Sequence, residues 1–158
     1  MGDQRIAVTR TVNATCAEVF KIVCDPNMHV EIDGSGMLLA APDAKPVTKV
    51  GDVFLMNMDR EPLGDVPLGK YQVINTVTRI EPDRLLEWNV GMTKYPSIGH
   101  VYGYEIRPAG EGQSEVTNYY DWSDLLPEYR DRVTFPIIPQ SMIERSMDNF
   151  VALVNDRS

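Results

Sequence analysis

Histidine and cysteine, from which zinc-type metal sites and disulfides are built, are scarce in this sequence. Its 158 residues include two histidines and two cysteines, which stand at His29, His100, Cys16 and Cys24. Two histidines cannot form a His-rich metal site. Cys16 and Cys24 fall in one predicted helix, where their Cα atoms would be roughly 12 Å apart, whereas a disulfide needs them within about 7 Å. We therefore expect two reduced cysteines, no metal and no cofactor.

Long apolar runs and clusters of basic residues are also absent. A membrane-spanning helix needs about 18 or more consecutive apolar residues, and the sequence has no such stretch. The formal net charge is -8, while nucleic acids and anionic membrane surfaces call for patches of Lys and Arg. The N-terminus lacks the features of a secretion signal. We therefore expect a cytoplasmic protein with no nucleic-acid partner and no membrane insertion.

The composition that remains is typical of a folded globular protein. Apolar residues make up 43% of the chain and charged residues 24%, a balance that argues against disorder. A chain of this length has the usual size of one domain and can bury a core that still leaves room for an internal cavity. We expect residues 1–158 to form a single ligand-binding domain.

The N-terminal part predicts a strand followed by two short helices. Residues 5–12 alternate in polarity as a half-buried strand does. Thr15 and Glu18 form a capping box ahead of a helix with apolar residues at helical spacing. Pro26 ends that helix, and Asp25 can cap a second one because Pro is well tolerated in a first helical turn.

The rest of the chain predicts six strands and one long helix. The short, turn-rich connections between the strands favour antiparallel neighbours. From Pro139 onwards the apolar residues form a broad helical stripe. Because a helix and a sheet must each bury an apolar face, we expect an α+β fold in which the sheet wraps around the C-terminal helix. The predicted strands cover residues 36–41, 52–58, 70–81, 84–90, 100–107 and 115–122.

Several stretches, in this order, carry a resemblance to a known superfamily. They are Asn13–Phe20, Val23–Pro26, Val50–Phe54, Val77–Trp88, Tyr104–Pro108, the turn at Gly112, and Glu115–Thr117. With them the chain resembles the SRPBCC or START-like superfamily, the helix-grip fold, and within it the bacterial polyketide cyclase/dehydrase proteins. The resemblance covers nearly the whole chain.

The resemblance implies both an architecture and a kind of site. It implies a curved antiparallel sheet of about seven strands wrapped around the long C-terminal helix, with a deep hydrophobic cavity between them. Members bind lipids, polyketides, hormones or other apolar molecules, and some catalyse cyclisation or dehydration. Catalytic residues vary between subfamilies, so the resemblance assigns none in this chain.

The candidate ligand-binding residues are apolar, aromatic or small polar side chains on elements that would surround the cavity. Methionine is flexible and polarisable and suits an adaptable apolar surface, although gap-filling in an ordinary core is an equally open interpretation. The candidates are Met28, Met37, Phe54, Met56, Met58, Trp88, Tyr102, Tyr104, Asn118, Tyr120, Met142, Ser146 and Phe150.

Four residues are candidates for acid/base chemistry: His100, Tyr102, Tyr104 and Asp121. A histidine beside a cavity can act as an acid or base near neutral pH. Tyrosine hydroxyls can orient a carbonyl or polarise an enolate. The alternative is that His100 hydrogen-bonds a neighbouring loop and that the tyrosines only pack.

Two other polar positions admit two interpretations each. His29 lies either at the mouth of the pocket or, as a solvated residue, at a helix end. On the last strand, either Asn118 or Asp121 meets a ligand or a partner side chain, because buried amides and carboxylates must be paired. For Asp121, an ion pair with Arg107 or Arg79 is the structural alternative.

The proline-rich segment 125–139 joins the last strand to the long helix. Long ordered loops in compact domains are often lids. Its apolar residues Phe135, Ile137 and Ile138 would be unfavourable in water unless they cover something. A contact between two copies in a homodimer is the competing interpretation.

These residues leave three functions open. The first is a module that binds a small hydrophobic ligand such as a lipid, a polyketide or an aromatic molecule. The second is a cyclase or dehydratase that uses acid/base residues lining the same cavity. The third is an interaction domain that docks a protein partner.

Overall fold

The computed structural model describes residues 5–42, 44–63, 69–92, 99–123 and 139–157. The predicted order of one strand, two short helices, six strands and a long helix is confirmed, and the segment 124–138, which holds most of the expected lid, lies outside the described residues. The elements are β1 (Arg5–Val12), α1 (Cys16–Val23), α2 (Pro26–Ile32), β2 (Leu38–Ala40), β3 (Val53–Asp59), a 3-10 turn (Glu61–Leu63), β4 (Lys70–Glu81), β5 (Leu85–Met92), β6 (Val101–Gly110), β7 (Gln113–Asp121) and α3 (Gln140–Arg157).

All the strands belong to one antiparallel sheet with the order β1-β7-β6-β5-β4-β3-β2. The strands from β2 to β7 form a meander, and β1 adds to its end by pairing with β7. The register shifts between Val77 and Arg79 in β4 and between Pro108 and Gly110 in β6. Such irregularities bend and twist a strand, so they help to curve the sheet around α3.

The two short helices begin where the capping residues predict. The Thr15 hydroxyl accepts a hydrogen bond from the Glu18 amide at 3.2 Å, and the Glu18 carboxylate accepts one from the Thr15 amide at 3.3 Å. Asp25 caps α2 by accepting from the Asn27 amide at 3.0 Å, with Pro26 in the first turn. Both cysteines are free, as expected, and burial raises the pKa of the Cys24 thiol to about 12.

Polar contacts fix α3 at two places. Along the sheet edge, Arg10 of β1 forms a 3.1 Å salt bridge with Asp148, and the Asn155 side chain accepts from the Asn13 amide at 3.2 Å. An exposed ion pair of this kind contributes less than about 1 kcal/mol. It therefore orients the helix, while burial of the apolar stripe supplies most of the stability.

The second place is the loop after α2. The Ser146 hydroxyl accepts from the Gly34 amide at 2.7 Å, Arg145 donates to the Gly34 carbonyl at 3.0 Å, and Asn149 donates to the Ile32 carbonyl at 3.1 Å. The backbone of Gly34 therefore lies directly on the backbone of α3. This contact holds the two short helices against the long one.

The core lies between the concave inner face of the sheet and α3. Strand alternation sends every second side chain to this face, and the apolar stripe of α3 packs onto it. The buried residues include Val8, Val12, Phe54, Met56, Val73, Val77, Leu86, Trp88, Tyr104, Ile106, Val116 and Tyr120 from the sheet, and Ile143, Met147, Phe150 and Val154 from α3.

Replacing Gly34 by alanine should destabilise the fold strongly. A Cβ atom there would lie 2.6 Å from the backbone nitrogen of Ser146 and 2.7 Å from the Cβ of Arg145. Because a helix backbone cannot yield as a side chain can, we expect a loss of about 3 kcal/mol in the free energy of unfolding, measured by urea denaturation. Gly51→Ala is the control, since its Cβ would meet nothing within 4 Å and only the strain of a positive φ would count, about 1 kcal/mol. Equal losses in the two variants would contradict the proposed contact.

Candidate functional site

A row of aromatic side chains crosses the inner face of the sheet. The register places Trp88 opposite Tyr102 and Tyr102 opposite Tyr120. The Tyr102 and Tyr120 rings are parallel within 5°, with centroids 4.3 Å apart, and Trp88 lies 6.2 Å from Tyr102 at 19°. Trp122 continues the row, 5.3 Å from Tyr120. Stacked rings cover one another's faces and leave their edges toward the inner side of the sheet, where an aromatic molecule can make edge-to-face contacts.

His29 joins this row from α2. Its ring stacks on Trp88 with centroids 5.0 Å apart and meets the edge of Phe54 at 5.6 Å. Its Nε2 lies 2.7 Å from the Val23 carbonyl, which can only accept a hydrogen bond. Burial lowers the pKa of His29, against smaller raising effects of the Val23 carbonyl and Asp25. The ring is therefore neutral at pH 7, and the interpretation of His29 as a solvated helix-end residue is wrong.

His100 lies at the other end of the row. Its Nδ1 is 2.8 Å from the Tyr120 hydroxyl, and its ring also hydrogen-bonds the Val90 backbone. Burial, helped by the nearby charge of Arg60, lowers the pKa of His100 to about 4. The imidazole is therefore neutral at pH 7, and its polar contacts are made within the protein.

The Tyr102 hydroxyl extends the contacts of His100 and Tyr120. Desolvation raises the pKa of Tyr102 well above its ordinary value, as do its hydrogen bond to the Tyr120 hydroxyl and the nearby Tyr71, while Arg60 opposes the shift. The side chains of Tyr102, Tyr120 and His100 thus form one cluster across β6 and β7, in which the Tyr102 ring stacks on the Tyr120 ring and the Tyr120 hydroxyl meets His100. Two of the four acid/base candidates, His100 and Tyr102, belong to it.

The other two acid/base candidates make different contacts, although the Tyr104 ring also lies 5.9 Å from Trp88 and 6.0 Å from His29. Tyr104 is on the inner face but next to α3, with its ring 6.3 Å from Phe150, and burial raises its pKa. Asp121 has the opposite strand phase to Tyr120 and so points away from the inner face. Its carboxylate accepts from the Ser123 amide at 2.8 Å and the Ser123 hydroxyl at 2.6 Å. Among the described residues these contacts stand in place of the ion pair with Arg79 or Arg107 that was one of the two interpretations of Asp121.

Asn118 and Ser146 have partners that fix the fold. Asn118 is on the inner face, where its amide donates to the Gly103 carbonyl at 2.9 Å, and the Ser146 hydroxyl holds Gly34 as described above.

Among the candidate methionines, Met37 and Met56 are fully enclosed, whereas Met28, Met58 and Met142 are half-buried. The structure therefore brings most of the candidate ligand-binding residues to one side of the sheet.

Two polar residues on this face were missed in the sequence analysis. Arg60 follows β3 in phase with Phe54 and Met58 and is only 7% exposed. Asn75, in β4 between Val73 and Val77, is 4% exposed. In both cases the alternation of side chains along the strand is enough to predict that a polar side chain lies on the same face as its apolar neighbours.

The residues that the structure describes contain neither a cluster of side chains that could hold a metal ion nor a helix that could cross a membrane. No group of three or more His, Cys, Asp or Glu residues comes together in them. Their helices are also too short or too polar to cross a membrane.

Acid should destabilise the protein through His100. The folded-state pKa of about 4 lies below the ordinary value of 6.5, so the unfolded chain binds more protons between these two values. This group's contribution to stability is complete above pH 6.5 and falls by about 3 kcal/mol as the pH drops to 4. We expect His100→Gln to lose this part of the pH dependence, measured by denaturant titration from pH 4 to 8. If the free energy of unfolding fell equally with decreasing pH in the variant and the wild type, His100 would not be the source of this acid sensitivity.

The comparison with protein families and curated sequences gives limited matches. No protein-family model matches the chain. The uncharacterized protein Rv0088 of Mycobacterium tuberculosis is 31% identical over 121 residues, which make up 77% of this chain and 49% of that protein. The chain therefore spans about half the length of the curated relatives it matches.

Solved structures match over almost the whole chain. The AHSA1-like protein from Aeromonas hydrophila has a TM-score of 0.63 at 15% identity, covering 97% of this chain and 93% of its own. The major latex-like protein 151 from Panax ginseng has a TM-score of 0.62 at 14% identity, covering 95% of this chain and 96% of its own. Identities this low show a shared fold alone. With its curved seven-stranded antiparallel sheet, two short helices and long C-terminal helix, the chain has the helix-grip fold.

Proposed function

We propose that the protein binds a small hydrophobic ligand between the inner face of the sheet and α3. The observation that carries this proposal is the mixture of stacked rings and buried polar groups on that face. An aromatic row runs from His29 through Trp88 to Tyr120, and Arg60, Asn75 and His100 are buried beside it.

A face that served only as a core would be at least as stable if it were wholly apolar. Burying a polar side chain removes its hydration, and burying a guanidinium is more costly still. Apolar residues of similar size would stabilise the fold at least as well. Ligand sites, by contrast, combine apolar and aromatic walls with a few placed polar groups. The polar residues of this face therefore favour recognition of a guest molecule.

The kind of ligand follows from the rings. Each of the Trp88, Tyr102 and Tyr120 rings is within 19° of parallel to the next one along the row. Their edges therefore form a rigid wall, which suits edge-to-face contact with an aromatic or polyketide-like molecule better than contact with a single flexible acyl chain. The helix-grip fold supports the same proposal, because the resemblance to START-like proteins implies a hydrophobic cavity in this position.

Acid/base catalysis is the second candidate function. It is favoured by the cluster of Tyr102, Tyr120 and His100 on the inner face. The contacts of His100 argue for ranking it second, because the ring already bonds the Tyr120 hydroxyl and the Val90 backbone. The Tyr102 hydroxyl would then be the group closest to a substrate. Cyclisation or dehydration of a polyketide-like molecule is the corresponding reaction.

Binding should be detectable by fluorescence and by melting temperature. Trp88 and Trp122, the only tryptophans, are both buried in the aromatic row. We expect delipidated protein titrated with naphthalene derivatives or fatty acids to change its tryptophan emission and to melt several degrees higher, because a ligand that binds only the folded state stabilises it. Aromatic ligands should give the larger shift.

The control for this titration is a pair of tyrosine substitutions. Tyr102→Ala removes a ring from the inner row and should weaken binding at least about ten-fold. Tyr119→Ala removes a buried ring from the other face, where its hydroxyl donates to Glu87 at 2.7 Å, and should leave ligand affinity unchanged. No ligand-induced change in any of these proteins would rule out the proposed function.

Catalysis can be separated from binding by isotope exchange. If the site polarises carbonyls, the methyl protons of 2-acetylnaphthalene should exchange with D2O faster in the presence of protein, followed by NMR. Tyr102→Phe should then lose the acceleration by about ten-fold or more while keeping its affinity. Binding without any acceleration would leave the protein as a binding module.

A further inference from the structure

The side-chain carbonyl of Asn75 has an unusual environment. Its Oδ1 is buried and, among the residues that the structure describes, is the one buried side-chain nitrogen or oxygen without a hydrogen-bond partner. Other buried polar side chains are satisfied: Ser114 donates to the Ala14 carbonyl at 2.7 Å, and Asn118 donates to the Gly103 carbonyl at 2.9 Å. A buried acceptor left unpaired is costly and rare in folded proteins.

Asn75 lies beside the aromatic row, on the inner face of β4. In the sheet register it lies opposite Phe54 on one side and Val90 on the other. Phe54 in turn contacts Trp88, with ring centroids 5.8 Å apart. The amide therefore points to the same inner face as the aromatic row, where its neighbours across the sheet carry no donor. A molecule bound on this face is well placed to supply one.

We propose that the ligand is an aromatic molecule carrying a hydrogen-bond donor, a phenolic hydroxyl or a ring N–H, which binds to Asn75 Oδ1. The inference rests on the proposed function, since it requires a guest molecule on the inner face. It specifies what that molecule must offer. An acceptor fixed in an apolar site rejects an analogue that lacks the donor, because the acceptor then stays unpaired in the complex.

The test compares two ligands of similar shape. 2-Naphthol carries a hydroxyl donor, and 2-methoxynaphthalene presents the same ring system without one. We expect wild-type protein to bind 2-naphthol at least about ten-fold more tightly, measured by isothermal titration calorimetry. In Asn75→Leu, which removes the amide at similar volume, the two affinities should become equal within about two-fold.

A matched substitution on the other face controls for unspecific effects. Asn57 of β3 lies on the outer face, where it accepts from the Gln72 amide at 2.9 Å, and Asn57→Leu should keep the preference for 2-naphthol. The melting temperature of Asn75→Leu should not fall below that of the wild type, because the substitution removes an unpaired buried group.

The possible results distinguish the inference about a hydrogen-bond donor from the proposed ligand binding itself. Equal binding of both naphthalenes to wild-type protein would overturn the donor inference and leave ligand binding intact, since the acceptor would then be satisfied by water or by the protein. A preference for 2-naphthol that persists in Asn75→Leu would overturn it as well. Failure of both naphthalenes to bind would overturn this inference, and it would overturn the proposed function as well if the fatty acids also failed to bind.

Discussion

The antiparallel register of β5, β6 and β7 is the constraint on which the rest of the structure depends. It aligns Trp88, Tyr102 and Tyr120 across three strands, and strand alternation then sends all three rings to the face that α3 covers. A slip of one residue would turn them outward and bring Gly103 and Tyr119 to the core. The stacking of His29 from α2 and the hydrogen bond of His100 both require the correct register.

Polar side chains have different surroundings on the two faces of the sheet. On the outer face Tyr119 packs over Gly103, where a Cβ atom would collide with its ring, and the Tyr119 hydroxyl is paired with Glu87. On the inner face the histidines are held neutral by burial and one amide oxygen lacks a partner. The outer face therefore adds to stability, whereas the inner face gives up stability that uniform apolar packing would provide.

Local patterns in the sequence predicted the elements but not every side chain's direction or partner. The capping box at Thr15 and the cap at Asp25 were predicted correctly because the contacts that define them are local. The orientation of Asp121 could not be chosen, since its strand has polar and aromatic residues in both phases. His29 was left open because its burial depends on Trp88, a contact between distant parts of the chain. Arg60 and Asn75 carried a usable signal in their strand phase, but charged and amide side chains are usually exposed.

The pairing of β1 with β7 determines the order in which the chain can fold. The hydroxyls of Thr9 and Thr117 lie 2.8 Å apart, yet these residues are separated by 108 positions in sequence. Closing so long a loop precedes any gain from the contacts it allows, which makes folding slow. During synthesis, the backbone groups of β1 that pair with β7 in the folded protein stay without this partner until β7 has left the ribosome. We expect nascent chains to depend on chaperones in this interval, since an exposed strand edge invites association with other chains.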